Sequence, residues 1–154
     1  MTGKVISINI SPNKGMRKKS IREAHIKENY GIEGDAHASG AWHRQVSLLA
    51  TESIKKMQEL GLDVDSGDFA ENITTEGIVL PELKIGTVML MGPDIRAEVS
   101  QIGKECHAHC EIYYQAGDCV MPKEGIFVKI LKGGVLRAGD KIIIDAALGG
   151  STRQ

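Results

Sequence analysis

No apolar stretch in this chain runs far before a turn residue stops it. Val5, Ile6, Ile8 and Ile10 form a short run that halts at Pro12-Asn13 and Lys14-Gly15, the pattern of a strand delivered into a turn. Gly31, Gly34 and Gly40 punctuate a loop before Val46, Leu48 and Leu49 open a buried segment. Val88 and Leu90 precede, and Ala97, Val99 and Ile102 follow, a Gly92-Pro93-Asp94 turn, which predicts a hairpin. Residues 126–131 and 142–144 read as strands around Gly133-Gly134 and Ala138-Gly139-Asp140. One helix stands out: Thr51 as N-cap, Glu52 in the first turn, Ile54, Met57 and Leu60 on one face, and Gly61 at C′. Residues 104–116 are a shorter helical candidate. Short strands at turn-punctuated spacing predict a mainly β fold, a closed or partly closed barrel with a few short peripheral helices. A parallel α/β sheet would require regular alternation with longer helices and is disfavoured.

At 154 residues the chain suits a single domain, placed here at 1–146 with a C-terminal tail at 147–154. Eighteen glycines against 4% aromatics favour tight turns over a large aromatic core. Lys+Arg 19 against Asp+Glu 20 leaves a net charge of −1, which argues against a nucleic-acid or membrane-surface role. The charge is uneven. Residues 1–30 hold Lys4, Lys14, Arg17, Lys18, Lys19, Arg22 and Lys27 against Glu23 and Glu28, either a solvated basic loop or an anion-attracting rim. No apolar run approaches the 18 residues of a membrane span, and the N-terminus lacks the continuous hydrophobic region of a secretory signal. Three cysteines, an odd number, then point to reduced thiols in a cytoplasm instead of a disulfide framework.

The densest chemistry lies in KECHAHCEIYYQAGDCVMPKEGIF, residues 104–127. Cys106 and Cys110 share a face if 104–114 is helical, and Cys119 follows a Gly117-Asp118 turn. Three readings stay open. The cysteines are small buried hydrophobes; or Cys-x3-Cys with Cys119 and His107 or His109 holds zinc; or Cys106 is a reactive thiolate or soft-metal ligand, favoured by Lys104, His107, His109 and a helix N-terminus. Cys110 then serves as a resolving thiol or core residue.

A second concentration spans residues 31–47, where Asp35, His37, His43 and Arg44 sit among glycines before an apolar strand. Arg suits bidentate contact with phosphate or carboxylate, and His serves as donor, acceptor or metal ligand. The alternative for each is an ordinary surface or hydrogen-bonded residue. In GDFAENITTEGI, Glu71 and Asn72 precede a strand; Asn72 either orients a ligand amide or holds a turn through its side chain. The dinucleotide, P-loop, zinc-protease and serine-hydrolase signatures do not occur.

Four segments together, GIEGDAHASGAWHRQVSLL at 31–49, GDFAENITTEGI at 67–78, SQIGKEC ending at Cys106, and residues 117–140, resemble the MOSC domain, named after the C-terminal domain of molybdenum cofactor sulfurases. The resemblance implies a barrel-like β fold that binds the molybdenum cofactor, a pterin carrying Mo or W. It implies a sulfur-carrying or molybdenum-ligating cysteine at Cys106. Asp35, His37, Arg44, Glu71 and Asn72 would shape the pterin and metal pocket, with His43 and Lys104 beside them. Relatives with reductase character carry Arg and Pro where this chain has Gly103 and Glu105, which weighs against reduction of N-hydroxylated compounds. The pyridoxal-phosphate domain of full sulfurases is not in this sequence, so sulfur would come from a separate desulfurase and pass to a molybdoenzyme acceptor. The expected role is cofactor sulfuration or sulfur carriage through Cys106. The alternatives are a cofactor-dependent reductase, a non-catalytic carrier, or a structural zinc module. Oligomeric state is open, a dimer included.

Overall fold

A computed structural model of the chain describes residues 2–13, 17–36, 38–103 and 124–145. In chain order the strands are β1 (Thr2–Ile10), β2 (Lys19–Ile21), β3 (Glu23–Lys27), β4 (Gly31–Ile32), β5 (Val46–Ala50), β6 (Ile73–Glu76), β7 (Val88–Met91), β8 (Ile95–Ile102), β9 (Ile126–Lys132), β10 (Gly134–Arg137) and β11 (Lys141–Asp145). The helix α1 (Thr51–Glu59) follows β5, and a 3-10 turn covers Leu80–Glu82.

Seven strands close a barrel in the order β1, β11, β7, β8, β9, β5, β6 and back to β1, with β2 added to β1 outside the ring. The nine-residue β1 makes closure possible by pairing with β11 near its start, β6 along its middle and β2 at its end. A register shift between Val5 and Ser7 bends it between partners. Strands β10, β3 and β4 form a small second sheet. Pairing around the ring is antiparallel except for β5–β6. That parallel step needs a crossover, and α1 lies within it.

Alternation along the strands explains the two cores. Val5, Ile8, Leu48, Ile73, Met89, Ala97, Val99, Ile126, Val128 and Ile142 belong to the main cluster. Leu49 and Phe127, one position out of phase with Leu48 and with Ile126 and Val128, join Ile54, Met57, Val64 and Phe69 beneath α1. Every residue of β5 is therefore buried, as expected of a strand covered on both faces.

The helix differs from expectation at its start. Ala50, not Thr51, is the N-cap, with no side-chain cap: the backbone is still extended at Ala50 and turns helical at Thr51, so the hydroxyl sits one position too late. The end is as expected, with Gly61 at φ 94°. Gly61 N–H donates to Gln58 O at 2.9 Å and Leu62 N–H to Met57 O at 3.3 Å, the paired bonds of a Schellman turn. That turn brings Leu62 onto the apolar cluster, whereas Leu60 is 64% exposed. Among the described residues, no helix is long and apolar enough to cross a membrane.

Candidate functional site

Among the described residues, the side chains singled out in the sequence fall into two places. The first is a buried polar knot where β1, β5 and β6 meet. Lys18 Nζ lies 2.6 Å from Asp35 Oδ1, both side chains fully buried. Ser11 N–H donates to the same oxygen at 3.1 Å. Burial pushes the Asp35 carboxyl up, but the hydrogen bond and charge of Lys18, with donors from Asn72 and Ser11, outweigh it and hold the group below its ordinary value. Lys18 is thus neither part of a solvated loop nor of an anion-attracting rim.

Asn72 holds the knot together. Its Oδ1 accepts from the Ser47 N–H at 3.0 Å and the Ser47 hydroxyl at 3.2 Å, and its Nδ2 donates to Asn9 O at 3.2 Å. The side chain thus links β1 and β5 to the residue that leads into β6. Glu71, 0% exposed, accepts at Oε2 from Gly67 N–H at 3.0 Å and from the Thr74 hydroxyl at 2.8 Å. Its Oε1 has no hydrogen-bond partner. Burial raises its pKa above the ordinary carboxylate value, against the donors that lower it. Gly67 is required at this point: φ is 88°, and a Cβ there would sit 2.3 Å from Lys18 O.

The second place is at the surface, at the C-terminal end of β8. Arg44 is half-buried, with its guanidinium 5.4 Å from the Trp42 ring centroid and 5.3 Å from that of Phe127, within the range of cation–π attraction. Its Nε donates to Gln101 Oε1 at 2.8 Å. His43 is exposed, and its Nε2 lies 2.8 Å from the same oxygen. The Ser100 hydroxyl donates to His43 O at 2.5 Å, and Gln101 Nε2 donates to Gly103 O at 2.8 Å. A guanidinium clamped by two rings and held at Nε keeps its two Nη groups in a fixed fork, the geometry that receives an oxyanion bidentately. No described residue accepts a hydrogen bond from those Nη groups.

Gly103, the last described residue before the cysteine-bearing residues 104–123, lies beside this cluster. Gly103 N–H donates to Gly125 O at 2.7 Å, pinning the two ends of residues 104–123 together. Glu124 at the returning end binds Lys56 and the Ser53 hydroxyl on α1. Cys106, Cys110, Cys119, Lys104 and His37, the residues expected to carry or flank the chemistry, lie outside the described residues, as does the 104–116 helical candidate. Among the described residues no group of three His, Cys, Asp or Glu side chains is placed to hold a metal ion.

Trp42 and Gln101 were not singled out from the sequence. The signal was there for both: Trp42 is the single tryptophan of a chain poor in aromatics, and Gln101 is a polar residue in the lead-in to Cys106. Neither carries chemistry by residue type alone, so only their contacts with Arg44 and His43 mark them.

A small closed β-barrel with a clamped guanidinium at the root of a cysteine-bearing stretch is the class that fold and site define. The family model of the MOSC domain matches residues 35–143, and the chain belongs to the MOSC domain family. A search of curated proteins gave no significant match. Among solved structures, the fold is similar to that of the YuaD protein from Bacillus subtilis, at TM-score 0.76 and 19% identity over 94% of this chain and 96% of that one. It is also similar to YiiM from Geobacillus stearothermophilus, at 0.68 and 18% over 93% and 75%, and to YiiM from Escherichia coli, at 0.67 and 17% over 94% and 70%. At these identities the likeness is one of fold.

Proposed function

We propose that this MOSC protein takes the molybdenum or tungsten pterin cofactor as its substrate and passes sulfur to it through Cys106, in the cytoplasm. The observation that carries the reading is the clamped Arg44 fork beside the pinned ends of the cysteine-bearing stretch. The residues present fit such a group. The cofactor is a flat heterocycle with anionic substituents; Arg44 offers two unengaged Nη groups to an oxyanion, and Trp42, 38% exposed, offers an aromatic face near it. Asp35 and Asn72, with their polar atoms engaged in the knot, act on the site by holding the loop that leads to Arg44.

The chemistry of Cys106 is that of a thiolate. Attack on a donor persulfide forms a Cys106 persulfide and releases the donor's thiolate; attack by Cys110 or Cys119 on the inner sulfur then closes a disulfide and releases the outer sulfur as hydrosulfide, the form the cofactor would receive. A desulfurase supplies the sulfur, and a molybdoenzyme accepts the sulfurated cofactor. The test is elemental and pterin analysis of protein purified without oxygen from its native host, wild type beside Cys106→Ala, together with a sulfur-transfer assay. Pterin with Mo or W, and transfer lost in the variant, supports the reading. Transfer that survives Cys106→Ala contradicts it, and zinc without pterin assigns the cysteines to a structural metal.

A further inference from the structure

Gln101 has an amide orientation fixed from two sides. Arg44 Nε can only donate, and it lies 2.8 Å from Gln101 Oε1. The Gly103 carbonyl can only accept, and it lies 2.8 Å from Gln101 Nε2. A flipped amide would set donor against donor and acceptor against acceptor. The third contact then follows. His43 Nε2 lies 2.8 Å from the same Oε1, an oxygen with no proton to give, so the hydrogen is on Nε2. A neutral imidazole carries only one, and Nδ1 is left with its lone pair.

We infer that Gln101 is a positioning residue that holds His43 as the Nε2–H tautomer, making Nδ1 the proton-accepting atom of the site beside Arg44. The ligand group this pair receives is an acid with O–H or S–H next to an anionic oxygen. The proton passes to Nδ1, the bond it leaves keeps its electron pair on the ligand, and that charge faces the Arg44 fork. The imidazolium formed keeps its Nε2–H on Gln101 Oε1, where a carbonyl stabilises the new charge. One oxygen therefore sets both the guanidinium and the imidazole. The ligand assignment rests on the function proposed above; the tautomer assignment does not.

The experiment is a long-range proton–nitrogen NMR correlation on the full chain, cofactor-free and labelled with 15N-histidine, recorded where His43 is neutral and then titrated with inorganic phosphate as the probe. Wild type is expected to show His43 protonated at Nε2 and bare at Nδ1. Gln101→Leu is expected to mix the tautomers and weaken phosphate binding about tenfold, the size of losing one hydrogen bond to a charged group. Gln101→Glu, which still accepts from both partners, restores the Nε2–H form. A wild-type His43 protonated at Nδ1 or divided between tautomers overturns the inference, and so does a Gln101→Leu variant that keeps the wild-type tautomer. Because the spectra need neither pterin nor metal, a protein that lacks pterin in its native host defeats the proposed function and leaves this result standing.

Discussion

Asp35 and Arg44 are nine positions apart in one glycine-rich segment, yet one is buried with every observed contact spent inside the protein, and the other is half-buried with Nη groups that no described residue engages. The buried knot of Lys18, Asp35, Glu71 and Asn72 ties β1, β5 and β6 together. The surface cluster of Trp42, His43, Arg44 and Gln101 rests on the end of β8 and, through Arg44 against the Phe127 ring, on β9. Polar residues crowded into a motif are thus of two kinds. The buried ones use nearly all their donors and acceptors, Glu71 Oε1 excepted, to hold strands together, and the ligand contacts proposed above fall on Nη groups that no described residue engages.

The largest effect should come from the knot. Asp35→Ala leaves the Lys18 ammonium buried without its carboxylate, and about 3–5 kcal/mol of stability should be lost in urea unfolding. Replacing both partners with apolar residues, Lys18→Met with Asp35→Leu, should recover most of that loss; if the double variant is no better than the single, the pair is not the source. Gly67→Ala is next. It meets both the Lys18 carbonyl and an unfavourable backbone angle, with a cost on the order of 1–3 kcal/mol that should appear as a lower Tm.

The two buried carboxylates should respond to pH with opposite sign. Asp35 is held below its ordinary value, so its contribution is present above the unfolded carboxylate's titration and is lost as pH falls through the lowered folded value. Glu71 is held above its ordinary value, so its contribution is complete below the unfolded titration and is lost as pH rises through the raised folded value. Glu71→Gln should therefore gain stability relative to wild type as pH rises above the unfolded carboxylate's titration. Denaturant midpoints at several pH values check this, and a difference independent of pH would count against it. The smallest stability effect belongs to the surface: Arg44→Leu should change unfolding by no more than about 1 kcal/mol while removing anion binding. A large stability loss there would erase the contrast between the two regions.

Much of the fold was legible in the sequence because strand alternation and turn chemistry are local. The β7–β8 hairpin around Gly92, the strands β9 and β11, and the Gly61 end of α1 all follow from residues within a few positions of each other. Barrel closure depends on β1 pairing with strands from both ends of the chain, which no local pattern encodes. The same limit applied to the site. Arg44 and His43 were visible by residue type, but the burial of Asp35 depends on Lys18, which reads as one more cation in a basic stretch. Gln101 gained its role only when β8 brought it beside residues 58 and 57 positions away.

The most direct test of this division is cofactor content in Arg44→Leu beside wild type, both purified without oxygen from the native host, with pterin fluorescence and Mo or W scored per chain and Tm measured on the same samples. Pterin and metal are expected in wild type and their loss in Arg44→Leu, with Tm nearly unchanged. Equal pterin in both proteins would contradict that division.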